Sequence, residues 1–298
     1  IDPKTNIGDA FIYMQDSIFM VVDFKAMNKP IRLYNANTFK HITNTGIIGR
    51  GPGEINRIGR LAIHEEANTF WVSDHGKRVM WKFPMDSVIH NNSFKPNKSL
   101  PLRNELFLYQ FGFINDSIAL GKGVHVINHN SFEMTMAKLN LHTTKTTKFG
   151  YEHPKANGRK SNSLFALSKE NHLYVNCYTD SDLMTICNLD GTLKYNIYGP
   201  DWLKNKDNRN YYYSGVDILN DHIIASYLGK KAFVFNEQKR PVGNLPTQFV
   251  IFDLNGNYIK TLETGYKIRS FCLDNQNDRV IVFFNNREKQ LGYFKLNI

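Results

Sequence analysis

The sequence predicts an all-β fold, a six-bladed β-propeller built from four-stranded antiparallel blades. Three observations support this. Short apolar strands separated by polar turns recur in a pattern repeated about six times along 298 residues, as radial repetition requires. The step from third to fourth strand is clear in two copies, Phe249–Leu262 and Met184–Ile197, where an Asn or Asp beside Gly separates two apolar runs. Aromatic content is 13%, with 21 Phe and 15 Tyr, which suits pleated, packed strands.

Period-two alternation and β-branched runs mark the blades in order. Blade one spans residues 11–45, with Ile18–Val22 as its second strand. Blade two spans 59–90 and holds Thr69–Ser73 and Val79–Phe83. Blade three spans 106–149, blade four 164–198, blade five 215–262 and blade six 268–297. Five blades show four strands and the last shows three. An N-terminal strand near Thr5 is expected to complete it; the alternatives are a ring that closes without one, or a strand supplied from upstream of Ile1. Turns such as Gln15-Asp16-Ser17 and Asn115-Asp116-Ser117 use residues that bond their own backbone. Asp274 and Asp278 are read the same way, because a calcium loop needs six or more converging oxygens.

Length alone would allow two domains; the repeat argues for one propeller domain over residues 1–298. The 37 Lys+Arg against 27 Asp+Glu give a net charge of +10, which favours anionic partners. Three cysteines make no disulfide framework. Cys177 and Cys187 flank a turn where one hairpin face would bring them together, but buried free thiols are the expected state. No apolar run reaches 18 residues, so no transmembrane helix is expected. The start, Ile1-Asp2-Pro3, reads as a trimmed mature product without a signal peptide.

In a propeller, turns from first to second and third to fourth strand share one face. Second-to-third and inter-blade loops share the other. Sorted this way, the tight-turn face is acidic, with Asp16, Glu65, Glu66, Glu170 and Asp221 among its residues. The loop face is basic, with aromatics among its cations. Candidate ligand-binding residues there are Arg50, Arg57, Arg159, Lys160, Trp202, Arg209, Tyr211, Lys230 and Arg240. Arginine offers paired donors to carboxylate, sulfate or phosphate, and aromatic faces stack on sugars. The competing reading is that these lysines and arginines merely solvate long loops. Of the triplet Tyr211-Tyr212-Tyr213, at least one is expected in the core. The longest insertion, 228–248, is either an extension of its strand pair or a flap over the channel. A second long connection, 122–133, contains His125 and His129.

One stretch is unlike ordinary propeller loops: Gly49-Arg50-Gly51-Pro52-Gly53-Glu54. Its glycines and proline specify a tight turn with positive φ. No Gly-Lys-Ser/Thr follows and no βαβ unit surrounds it, so it is neither a P-loop nor a dinucleotide fingerprint. Arg50 and Glu54 are expected to pair with each other or with a neighbouring blade. Placed just before blade two of a repeated-strand chain, this motif resembles the TolB-like six-bladed β-propeller family of gut bacteria. The resemblance implies secretion, commonly as a lipoprotein whose anchoring Cys lies upstream, in the periplasm or at the outer membrane. It implies no established activity, so no catalytic residue is carried over.

Three function classes remain. The favoured one is a non-enzymatic extracytoplasmic binding protein, monomeric, whose basic loop face contacts an anionic polysaccharide or a partner protein. It needs no cofactor, and touches a membrane only through an upstream anchor. The second is a hydrolase or lyase, lactonase- or glycosidase-like, acting at the central channel. Against it, the ten histidines are scattered, with no HxH or HExxH grouping, and His125 and His129 would share a face only on a helix. The third, nucleic-acid binding, is allowed by charge but lacks any recognisable module.

Overall fold

A computed structural model describes residues 7–102, 105–155, 162–202, 210–285 and 287–296. Blade one contains β1 (Ala10–Gln15), β2 (Ile18–Asp23), β3 (Ile31–Asn35) and β4 (His41–Thr45). Blade two contains β5 (Ile58–His64), β6 (Thr69–Asp74) and β7 (Val79–Pro84), then helix α1 (Met85–His90) and β8 (Ser99–Pro101). Blade three is β9 (Leu106–Asn115), β10 (Ile118–Asn128), β11 (Ser131–Asn140) and β12 (Thr146–Lys148). Blade four is β13 (Ser163–Ser168), β14 (Leu173–Tyr178), β15 (Leu183–Asn188) and β16 (Leu193–Tyr198). Blade five has β17 (Asn210–Leu219) and β18 (His222–Lys231), a separate hairpin β19 (Phe233–Phe235) and β20 (Pro241–Gly243), then β21 (Gln248–Asp253) and β22 (Tyr258–Glu263). Blade six is β23 (Ile268–Asp274), β24 (Arg279–Phe284) and β25 (Leu291–Lys295). Each blade is an antiparallel meander, and the chain is a six-bladed β-propeller.

Burial follows radial position. Second strands β6, β14 and β24 are buried at every residue, because a neighbouring blade covers each face. Outermost strands β16 and β22 are mostly exposed. Apolar side chains gather in six clusters between successive blades, which close the ring. The blade three–four cluster is small, with Leu120, Met136, Phe165, Tyr174 and Cys187 at its centre. Beside it Lys122 is fully buried and paired to Glu152 at 3.2 Å. Lys122 is therefore not one of the loop-face surface cations.

Blade two departs from the expected boundary. Pro84 lacks the N–H that a continuing strand would need and sits at φ −65°, suited to starting a helix. Asp86 lies in the first turn of α1 and Met85 and Val88 are buried, so the fourth strand is delayed to Ser99. The 122–133 connection is no loop: β10 and β11 extend as one hairpin to a turn at Asn128–Ser131. Its His125 bonds Glu133 at 2.8 Å across the pair, which a strand register permits without any helix.

The three cysteines are free and buried. Cys177 pairs in register with Met184 and Cys187 with Tyr174, and the two thiols belong to different inter-blade clusters.

Among the described residues blade six has three strands, and Thr5 lies outside them. Blade six is tied to blade one by side chains. Arg269 binds Asp9 through Nε (2.6 Å) and Nη2 (3.2 Å), and Ser270 Oγ donates to the Ala10 carbonyl at 3.0 Å. On the tight-turn side, Arg279 Nε donates to Asp274 (2.7 Å) and Nη2 to the Ala36 carbonyl (2.5 Å). Asn277 also donates to both Asp274 carboxylate oxygens. Asp274 thus caps its own turn and anchors a buried arginine.

Candidate functional site

The loop-face connections are held at their base by carboxylates. Asp74, fully buried, accepts from the backbone N–H groups of Asn56, Arg57, Gly76 and Lys77 at 2.9–3.1 Å. Asp23 accepts from Gly8, Asp9 and Lys25 N–H and pairs with Arg32. Asp182 accepts from the Asp201 N–H and the Tyr227 hydroxyl. Asp74 is committed to backbone amides, Asp23 to amides and Arg32, and Asp182 to an amide and a phenol, so all three serve the base of the loops.

The glycine-rich turn is organised around Glu54. Its Oε2 accepts from Gly51 N–H at 2.9 Å, and a Cβ on Gly49 would stand 2.1 Å from that oxygen. Gly53 has φ +67°, and a Cβ there would lie 2.7 Å from the Pro96 carbonyl. Glu54 pairs with Lys95 at 2.8 Å, the neighbouring-blade alternative, and Lys95 lies between α1 and β8. Lys77 Nζ donates to the carbonyls of Gly51 and Glu54, both at 2.6 Å. Lysine and hydrogen-bond contacts hold the Glu54 carboxyl below its usual range.

Beyond this turn, a cleft of about 540 Å³ opens on the loop face between blades one and two. Phe11, Phe24, Arg57, Arg60, His75 and Tyr109 line it. Gly59 forms part of its floor; a Cβ there would meet the His75 ring at 2.3 Å. Burial first, and then the charge of Arg57, lower the pKa of His75 and favour its neutral form. Arg60 lies over the Phe11 ring, 4.0 Å from its centroid, and Arg269 over the same ring at 4.9 Å. Burial pushes the Tyr109 hydroxyl up to about 12, so it stays protonated and donates to Asn162 and Ser163. Arg269 has Asp9 as counter-ion, whereas Arg57 and Arg60 have no carboxylate within ion-pair distance among the described residues.

Arg60 and Phe11 also line the central channel, a cavity of about 460 Å³ walled by all six innermost strands. The opposite end bears Glu65, Lys169 and Glu170. Inside, Asp217 accepts from Ile218 N–H at 2.9 Å, and burial raises its pKa to about 6, with Glu65 adding repulsion. No group of three or more His, Cys, Asp or Glu capable of holding a metal occurs among the described residues.

The other candidates are dispersed. Arg57 lines the cleft, while Arg50 is exposed on the glycine-rich turn. Trp202 sits by blade four, 4.8 Å from Tyr198 and edge-on to His153, with the Lys155 ammonium 4.4 Å from its ring centroid. Tyr211 and Lys230 are exposed register partners on β17 and β18, and Arg240 is exposed on the β19–β20 hairpin. Arg159, Lys160 and Arg209 lie outside the described residues. Tyr212 and Tyr213 are both core residues, because irregular register at this point breaks simple alternation. Arg60, Arg269 and Asp217 were not anticipated. Their signal is a charge set within an innermost strand.

Residues 11–276 match the family described as TolB-like 6-blade propeller-like. A search among curated proteins finds no match. Among solved structures, a member of the DUF4221 family from Bacteroides vulgatus aligns with TM-score 0.67 at 8% identity, covering 97% of this chain and 93% of that one. The RRP9 WD40 repeats align with TM-score 0.55 at 11% identity, covering 93% and 73%. The Cps50 (Swd1) β-propeller domain from Myceliophthora thermophila aligns with TM-score 0.54 at 5% identity, covering 98% of both. At these identities the likeness is one of fold. Together with the six closed blades, the match over residues 11–276 establishes that the chain belongs to the TolB-like six-bladed propeller family.

Proposed function

We propose that this propeller is a non-catalytic extracytoplasmic binding protein whose loop face takes an anionic ligand, an acidic glycan in the first instance. One observation carries the reading. Arg57 and Arg60 line a single cleft, beside Phe11 and Tyr109, with no carboxylate partner among the described residues. A guanidinium without a counter-ion in a concave, partly apolar site attracts carboxylate or sulfate, and the rings offer stacking to a sugar. The TolB-like family supports the extracytoplasmic location. An acidic surface of a partner protein fits the same chemistry.

The test is calorimetric binding to acidic and neutral polysaccharides at ~50 and ~300 mM salt, where screening weakens charge-led contacts. Saturable binding to one acidic glycan, lost in the Arg57→Ala/Arg60→Ala variant, is the expected result. Equal weak binding to every polyanion, or none, defeats the glycan reading and directs the search to a protein.

A further inference from the structure

The β19–β20 hairpin stands apart from the blades. Its strands pair only with each other, through Phe233↔Gly243, Val234↔Val242 and Phe235↔Pro241. Phe233 is 66% exposed and Phe235 77%. Two residues apart on one strand, they point to the same side. Opposite them stand only Gly243 and Pro241, which offer little apolar cover. Cations flank the rings: Lys230, Lys231, Lys239 and Arg240 against the single acid Glu237 within 230–240, a net of +3. None of these five is in an ion pair among the described residues.

The hairpin is a second-to-third-strand connection, so it rises on the loop face. The equivalent connections of blades one and three are also apolar at their tips. Met27 is 95% exposed between Lys25 and Lys29, and Val126 and Ile127 at the β10–β11 tip are 40% and 55% exposed. Blades one, three and five alternate around the ring, so the tips form three separated points on one face.

We propose that this face docks on an anionic lipid bilayer, with Phe233 and Phe235 entering the headgroup–acyl boundary and the flanking cations binding lipid headgroups. Solvent-exposed rings flanked by exposed cations match the two terms that drive interfacial binding, apolar insertion and attraction to anionic lipid. The three-point arrangement favours a bilayer over a protein partner. A protein would need three spaced pockets, whereas a lipid surface receives all three tips without shape complementarity.

The experiment is co-sedimentation with vesicles of phosphatidylglycerol and phosphatidylethanolamine, and separately of phosphatidylcholine, at ~50 mM salt. Binding to the anionic vesicles is expected, weakened about tenfold in Phe233→Ser/Phe235→Ser and again on phosphatidylcholine. A Phe235→Trp variant should show a blue-shifted emission when anionic vesicles are added. The double variant should keep the wild-type melting temperature and its polysaccharide binding, which separates this surface from the cleft. Absence of vesicle binding, or equal binding by the double variant, overturns the proposal. So does a dimer in sedimentation equilibrium that the double variant converts to monomer, since a second copy would then cover the rings.

Discussion

The side-chain amide of Gln290 bonds both backbone groups of Ile7, accepting from its N–H at 3.1 Å and donating to its carbonyl at 2.9 Å. A residue just ahead of β25 thereby imitates one rung of a β-ladder with a residue 283 positions earlier. Ile7 is buried in the cluster shared by blades one and six, so this rung helps set where the N-terminal segment enters the ring.

Gln290→Ala should therefore destabilise the protein by about 1–3 kcal/mol, because both groups of Ile7 lose their partner in a half-buried seam. Urea unfolding would show this as a lower midpoint with an unchanged slope. Removing residues 1–7 should give a loss at least as large.

Arg279 is held between Asp274 and the Ala36 carbonyl, and lies 4.7 Å from the Phe39 ring centroid and 4.9 Å from that of Tyr293. Arg279→Met leaves a carboxylate that is 1% exposed without its cation, at a cost of about 3–5 kcal/mol. Adding Asp274→Asn should recover a large part of that loss. Thermal unfolding of the two variants would measure the coupling.

Asp217 gives a pH dependence with a defined sign. Its folded pKa, about 6, lies above the value of about 4 expected when unfolded. Below that window both states are protonated and the residue is neutral in its effect. As pH rises through it the unfolded chain releases its proton first, so stability falls, and above about 6 the full cost is present. Asp217→Asn should raise stability at pH 7 by on the order of 2 kcal/mol and leave it nearly unchanged at pH 4. Parallel melts at the two pH values would check this.

Gly53 sits at φ +67° against the Pro96 carbonyl. Gly53→Ala combines left-handed strain with a backbone clash and should cost about 1–3 kcal/mol. Exposed Arg50 on the same turn, changed to Ala, should leave unfolding within about 0.5 kcal/mol of wild type. Guanidinium titrations of both variants would separate backbone from side-chain roles.

Blade number and order were legible because the alternating runs are local. The second strands showed through apolar, β-branched runs such as Ile18–Val22, and the turns through Asn, Asp and Gly. Helix α1 was hidden because Met85–His90 is too short to display a helical period, and only Pro84 marked the change. The cleft was half legible. Arg57 was visible as a loop cation, but Arg60 and Tyr109 lie inside strands of different blades, and only ring closure brings them together. A sequence lists Lys122 and Asp74 as charges without saying that both are buried and already satisfied.

The basal carboxylates have a consequence for evolution and engineering. Asp74 clamps four amides with one side chain, fixing a connection at its root. Asp23 holds three amides in blade one, and Asp182 holds one amide and a phenol in blade four. Segments grafted between such clamps should be presented on a preset base, so new specificities can be sampled blade by blade without redesigning the ring.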